Sequence, residues 1–243
     1  MSLTREPMFN VPAVVVAVLA VMLVLHFGRE FVSEDTATWW LLALAFIPAR
    51  YAGLAAELPG GDLASLTSPV THMLIHGDVS HLAINAAWLL AFGTVLARRM
   101  GALRFLAFAI AGGLAAAALF EAMNPRLAAP MVGASGAIAA MMGGVMRFLF
   151  NAIDLRLGSL LRENPAAIPR SSIMQALTDR RVIMASAVFI GLNLITMIGV
   201  SLIGEAGAIA WEAHLGGYIF GLLTFGAFDR AAHNIVASNF EVE

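Results

Sequence analysis

The sequence predicts an all-α membrane protein, a bundle of six transmembrane helices with a large extracytoplasmic first loop. Hydrophobic residues make up 60% of the 243 residues and charged residues 12%, whereas soluble domains average roughly 45–50% and about 25%. The chain also contains six separate apolar segments close to the length of about 20 residues that crosses a bilayer. We therefore expect a single membrane domain over residues 1–243.

The predicted spans are apolar runs that end at charged residues or turn residues. The first run, 11–27, is followed by Gly28, Arg29 and Glu30 and not by a small-residue cleavage site, so we interpret it as a retained span. In chain order, the predicted spans cover residues 9–27, 80–97, 102–122, 134–150, 182–203 and 208–228.

The first loop, 28–79, contains a further apolar run at 39–47. This run is too short to span, and Pro48 follows it directly. Trp39 and Trp40 suit the lipid headgroup level, which favours an interfacial helix. The alternative, a seventh span, would weaken the asymmetry of arginines across the membrane.

All 14 basic residues of the chain are arginine. If the chain has six spans, eleven of them lie on one side of the membrane and three on the other. The smaller set is Arg29, Arg50 and Arg126. Because cytoplasmic loops are enriched in basic residues, both termini and the loop 151–181 are predicted to be cytoplasmic. The use of arginine without lysine is typical of GC-rich bacterial genomes, so we expect the protein to lie in the inner membrane of the cell. The larger set is Arg5, Arg98, Arg99, Arg104, Arg147, Arg156, Arg162, Arg170, Arg180, Arg181 and Arg230.

Several functions are excluded by residue content. The chain has no cysteine, which rules out disulfides and thiolate chemistry. It has no basic patch, so we expect no nucleic-acid partner. His72, His76 and His81 do not have the spacing of a compact ligand set, so we expect no metal site. Membrane lipid is an expected partner, and the sequence gives no indication of an oligomeric state.

The segment 131–144, M-V-G-A-S-G-A-I-A-A-M-M-G-G, contains a single hydroxyl, that of Ser135. Gly133, Ala134 and Gly136 leave this hydroxyl unshielded. The preceding loop places Ser135 in the first turn of a helix, where free N–H groups and the dipole favour negative charge. This predicts a nucleophile with an anion site beside it. The alternative is close helix packing, in which small residues and serine are common.

Polar residues within predicted spans are costly and usually functional. His81 and Asn85 are four residues apart on one face of span two. In span six, Gly217 and Gly221 share a face with His214. Packing and interhelical hydrogen bonding remain the alternative roles for these polar side chains.

Span four has a matching small face, formed by Gly136, Ala140 and Gly143. Docking this face on the glycines of span six would bring His214 near Ser135. A serine and a histidine in contact form a nucleophile and a general base. His81 and Asn85 would then supply hydrogen bonds to an oxyanion, together with the N–H of Ser135.

Three motifs together resemble the rhomboid family of intramembrane serine proteases. They are G-A-S-G at 133–136, H-x-x-x-N at 81–85 and A-H-x-G-G-x-x-x-G at 213–221, on spans four, two and six. The segment 73–82 is also similar to the family's sequence before its second span.

The resemblance implies a role for each matching residue. Ser135 would be the nucleophile and His214 the general base and then acid. His81 and Asn85 would form the oxyanion hole, and Gly133 would belong to the loop that keeps it open. The substrate would be a transmembrane segment of another protein, cut near its outer end without a cofactor. Gly136, Gly143, Gly217 and Gly221 would set the packing of spans four and six.

The chain departs from the family pattern at two points. The first loop has no Trp-Arg dipeptide, although Arg50 is present. The family often has Phe or Tyr four residues after the serine, packed on the catalytic histidine, and this chain has Ala139. The imidazole would instead be held by Trp88, Trp211 or Tyr218, and the sequence does not choose among the three.

Two other classes of membrane protein are the alternatives to a protease. A catalytically silent relative would bind transmembrane helices, but such relatives usually lose the serine or the histidine. A small-molecule transporter would show internal repeats around the bilayer midplane, and the sequence has no such repeat. The retained serine and histidine favour the protease.

Overall fold

The computed structural model describes residues 11–203 and 210–229, and the described residues are predominantly α-helical, which confirms the predicted class. The ends of the chain, including Arg5 and Arg230, and residues 208–209 of predicted span six lie outside the described residues. The helices are α1 (Ala13–Gly28), α2 (Glu34–Leu44), α3 (Gly61–Thr71), α4 (Val79–Trp88), α5 (Thr94–Met100), α6 (Ala102–Met123), α7 (Ser135–Met146), α8 (Leu149–Asp154), α9 (Gly158–Glu163), α10 (Ile173–Thr178), α11 (Arg180–Ile203) and α12 (Trp211–Phe228).

Among the described residues, three helical stretches are long and apolar enough to cross a membrane: Ala13–Phe31, Val79–Met100 and Ala102–Met123. The second joins α4 to α5 through one π-helical segment, Leu89–Gly93. The Ser135–Met146 helix is apolar but shorter. The protein is therefore a helical membrane bundle, and the count of six spans stays a prediction.

Helix α7 differs in length from the predicted span at 134–150, because it ends at Met146. Arg147 is only 3% exposed. Its guanidinium donates hydrogen bonds to the carbonyl oxygens of Ser171, at 2.7 Å, and Leu222, at 2.8 Å. Satisfying this buried charge requires the chain to turn, and α8 begins only at Leu149.

Helix α7 forms the centre of the bundle and packs against α6 and α12. From Gly136 to Met146 every residue except Met142 is buried. A methyl group at Gly217 would collide with the carbonyl of Gly136, and one at Gly221 with the carbonyl of Ala140. The two helices therefore approach each other backbone to backbone.

The first loop is a folded layer built from α2 and α3. Its Trp39 side chain is half exposed. Arg50 is buried, and its guanidinium donates to the carbonyl oxygens of Leu42, at 2.6 Å, and Pro59, at 2.7 Å. One arginine thus ties the end of α2 to the segment before α3.

A buried ion pair closes the arginine-rich end of the bundle. Arg99 Nε lies 2.8 Å from Asp229 Oδ1, and both side chains are 2% exposed. Arg99 also donates to the carbonyl oxygens of Pro165, at 2.5 Å, and Ile168, at 2.9 Å. Arg170 adds a second contact to Asp229, at 3.3 Å. The pair therefore attaches the loop 151–181 to α5 and to the end of α12.

Candidate active site

Ser135 is the first residue of α7, and the loop before it is held by the first loop of the protein. The backbones of Phe46 and Met131 exchange two hydrogen bonds, of 3.0 and 2.8 Å. The N–H of Gly133 donates to the carbonyl of His72, at 2.8 Å. Gly133 has a φ of +107°, a conformation that favours glycine. The chain can therefore turn sharply into α7 just before the serine.

The side chains of Ser135 and His214 are in direct contact. Ser135 Oγ lies 2.7 Å from His214 Nε2, a hydrogen bond that joins α7 to α12. Both residues are half-buried. The close approach of the two helices along Gly217 and Gly221 is what allows a serine side chain, only two heavy atoms long, to reach the imidazole.

The other nitrogen of the imidazole contacts a residue that the sequence reasoning missed. His214 Nδ1 lies 2.5 Å from Oδ1 of Asn193, on α11. Asn193 could have been found by the criterion used for the other helices, because it is a polar residue inside a predicted span. The residues proposed from the sequence have different contacts: Tyr218 hydrogen-bonds Ser186 at 2.6 Å, and Trp88 stacks on Phe92.

Trp211, the third residue expected to hold the imidazole, lines a narrow crevice together with Phe189 and Asn193. In the structure, the carboxamide of Asn193 therefore takes the place at His214 that was expected for an aromatic side chain. The physical reason is that Asn193 offers a hydrogen-bond acceptor directly at Nδ1, which an indole or a phenyl ring does not.

His81, Asn85 and Gly133 form one cluster beside the start of α7. A methyl group at Gly133 would lie 2.5 Å from Nε2 of His81 and 3.6 Å from Nδ2 of Asn85. Asn85 Nδ2 donates to the carbonyl of His81, at 2.9 Å, which leaves its second hydrogen for another acceptor. The N–H of Gly133 is already used by His72, so Gly133 contributes space to the cluster.

His72 holds the loop before Ser135 in place, because its carbonyl oxygen accepts the hydrogen bond from the N–H of Gly133. It is 1% exposed, and its Nδ1 lies 3.0 Å from the carbonyl of Ser68. Burial lowers the pKa of His72 from its ordinary 6.5 to about 4, so the ring is neutral at physiological pH. Among the described residues, no group of three or more His, Asp or Glu side chains could hold a metal ion.

Comparison with known families gives the identity of the domain. The family model of the Rhomboid domain matches residues 64–229, which is more than half of the chain and includes Ser135, Asn193 and His214. A comparison with curated proteins finds no match. The chain therefore belongs to the rhomboid family and is an intramembrane serine protease, a multi-pass membrane hydrolase of a family that acts on transmembrane proteins.

Proposed function

We propose that Ser135 and His214 are the catalytic dyad of this protease, and that it cuts transmembrane segments near their extracytoplasmic end. The observation that carries the proposal is the 2.7 Å separation of Ser135 Oγ and His214 Nε2. This distance is normal for a hydroxyl that donates to an imidazole nitrogen. It is also the distance over which a general base removes the proton of a nucleophile.

The proposed reaction is acyl transfer. Ser135 Oγ attacks the scissile carbonyl carbon while its proton moves to His214 Nε2. The tetrahedral intermediate collapses, the C–N bond breaks, and His214 returns the proton to the leaving amine. Water then attacks the acyl-serine ester with His214 again as base, which releases the second product and restores the serine hydroxyl.

The oxyanion of the intermediate needs preorganised donors. We assign this role to the N–H of Ser135, to the second Nδ2 hydrogen of Asn85 and to the ring of His81. The N–H of Ser135 belongs to the first turn of α7, where amide groups lack intrahelical acceptors. Gly133 keeps the space beside His81 open, because a side chain there would fill it.

The proposed position of the cut is supported by where the helices begin. Ser135 starts α7, His214 lies in the first turn of α12, and His81 lies in the first turn of α4. These residues sit at the end of the bundle covered by the first loop. Under the predicted topology, with six spans, both termini in the cytoplasm and the protein in the cell inner membrane, this end is extracytoplasmic. A substrate segment would be cut near that surface, where water is available.

Substitution of Ser135 tests the proposal. Ser135→Ala should lower kcat/KM on a model transmembrane substrate by about 10³-fold or more, because the nucleophile is lost. A fluorophosphonate probe should label Ser135, as shown by peptide mapping with mass spectrometry. Ser65→Ala, which removes a hydroxyl from α3 in the first loop, is the matched control and should keep full activity. Full cleavage by the Ser135→Ala protein would refute the proposal.

A further inference from the structure

We propose that Asn193 is a positioning residue that fixes the tautomer and the orientation of the His214 ring. This inference rests on the proposed function, because it concerns the base of the dyad. Asn193 lies on α11, and its Oδ1 is 2.5 Å from His214 Nδ1. Asn193, His214 and Ser135 therefore form a continuous chain of hydrogen bonds across three helices.

A second hydrogen bond determines which way the carboxamide of Asn193 faces. Its Nδ2 lies 2.7 Å from the carbonyl oxygen of Phe189, one turn earlier on α11. An amide NH₂ group only donates, and a carbonyl oxygen only accepts. The NH₂ group must therefore face Phe189, and Oδ1 faces the imidazole.

This orientation fixes the proton on the ring. Because Oδ1 of Asn193 can only accept, His214 Nδ1 must carry the hydrogen that is shared with it. In a neutral imidazole the other nitrogen, Nε2, then has a lone pair. That lone pair points at Ser135 Oγ, which is the arrangement a general base requires. The opposite tautomer would place a hydrogen between Nε2 and Oγ and would leave no base for the serine.

The contact also restrains the ring without adding charge. Ala139, one turn after Ser135 on α7, presents only a methyl group, which cannot orient an imidazole. Asn193 is uncharged, so it avoids the cost of a carboxylate inside an apolar bundle. When His214 takes the serine proton, Nδ1–H still donates to Oδ1, and the imidazolium keeps its partner.

The face of α11 that contains Asn193 is in contact with α12. Ser186 Oγ lies 2.6 Å from Tyr218 Oη, and the rings of Phe189 and Tyr218 stack at 5.0 Å. Positions 186, 189 and 193 follow the helical spacing of one face. Ser186 therefore provides a matched control, because its hydrogen bond joins the same two helices without touching His214.

The first test needs no substitution. Protein with ¹⁵N-labelled histidine should show, at neutral pH, a His214 signal of the pyrrole type for Nδ1 and of the pyridine type for Nε2. A proton on Nε2 would overturn the proposal. This spectrum does not depend on which residue is the nucleophile, so it separates failure of this inference from failure of the proposed dyad. The His214 signal is assigned by its absence from His214→Gln.

The second test compares three variants. Asn193→Leu should lower kcat by about 10- to 100-fold, at or below the lower end of the ~10²- to 10⁴-fold range attributed to general acid–base catalysis because the base itself is retained, while KM changes less than about twofold. Asn193→Asp keeps an acceptor at Nδ1 and should recover kcat to within about tenfold of the wild-type value. Ser186→Ala should leave kcat and the histidine spectrum unchanged, although it breaks a contact between α11 and α12.

Asn193→Leu should also give a mixture of both tautomers in the ¹⁵N spectrum. Wild-type kcat together with a single wild-type tautomer in Asn193→Leu would overturn the proposal. Equal losses of kcat in Asn193→Leu and Ser186→Ala would also overturn it, because helix packing would then explain both. If Asn193→Leu does not fold, the wild-type spectrum and the Asn193→Asp variant still decide the question.

Discussion

At the residue scale, the site depends on one glycine as much as on its polar side chains. Gly133 allows the turn before Ser135 and borders His81, so its lack of a side chain serves both the backbone and the proposed oxyanion hole. Its N–H is committed to His72. A side chain at position 133 would therefore displace His81, one of the proposed oxyanion donors, without changing its chemical group.

We expect Gly133→Ala to lower kcat/KM by about 10²-fold, similar to the loss of one oxyanion donor. The new methyl group would lie 2.5 Å from His81 Nε2 and force that ring to move. Measured cleavage rates and probe labelling of Ser135 would report the loss.

Gly53→Ala is the matched control for this prediction. Gly53 has nearly the same φ, +104°, and no atom lies within 4 Å of the position that a methyl group would occupy there. It should show only the cost of the left-handed backbone, about 1–2 kcal/mol of stability. If Gly133→Ala is as active as Gly53→Ala, crowding of His81 has no catalytic consequence.

The sequence indicated most of the candidate residues because polar groups in apolar spans are costly. Ser135, His81, Asn85 and His214 all stood out by that criterion or by their small neighbours. Asn193 met the same criterion, but spacing within one helix cannot reveal which residue of another helix it contacts. Its partner depends on how α11 packs on α12, which the sequence pattern does not specify.

At the element scale, the contact of α7 with α12 decides whether the site exists. The backbones touch along Gly136 and Ala140 of α7 and along Gly217 and Gly221 of α12. The helical class and the family were predicted from hydropathy and motifs, and both are confirmed. The end of α7 was not predictable, because it depends on the carbonyl groups that Arg147 reaches from distant parts of the chain.

We expect Gly221→Ala to destabilise the protein by about 1–3 kcal/mol, the usual cost of overpacking, and to lower activity. Its methyl group would meet the carbonyl of Ala140 and push α12 away from α7. Thermal unfolding in detergent and cleavage assays would measure the two effects.

Gly191→Ala on α11 is the comparison for this variant, because no atom lies within 4 Å of a methyl group there. It should be neutral, or stabilising by about 0.5–1 kcal/mol through helix propensity. Equal stability of the two variants would mean that the α7–α12 contact tolerates a side chain.

At the scale of the whole molecule, the two ends of the bundle are built differently. The site end is held by backbone hydrogen bonds from the first loop, at Phe46 and His72. The opposite end is held by the charges of Arg99 and Asp229, both withdrawn from solvent. Because the ion pair lies at the other end of the bundle from the proposed dyad, its loss should lower the stability of the protein more than its catalytic activity.

We expect Asp229→Ala to destabilise the protein by about 3–5 kcal/mol, because it leaves the Arg99 guanidinium buried without its counter-charge. Folded Asp229→Ala protein at low temperature should still be labelled by the serine probe. Thermal unfolding monitored with that probe would give both results.

The exposed ion pair of Arg181 with Asp154 provides the control for the buried one. Asp154→Ala should have a much smaller effect, since solvent screens exposed pairs. A loss of stability in Asp154→Ala as large as that in Asp229→Ala would show that burial of the Arg99–Asp229 pair is not what matters.

The separation of 79 positions in the sequence between Ser135 and His214 also sets an order during biosynthesis. Because a ribosome makes the chain from its N-terminus, α7 is synthesised before α12. Under the proposed dyad, an incomplete chain that ends before α12 contains the nucleophile but no base. If Ser135 and His214 form the dyad, proteolytic activity arises only after α12 has docked on α7, so incomplete copies of the chain cannot cut neighbouring membrane proteins.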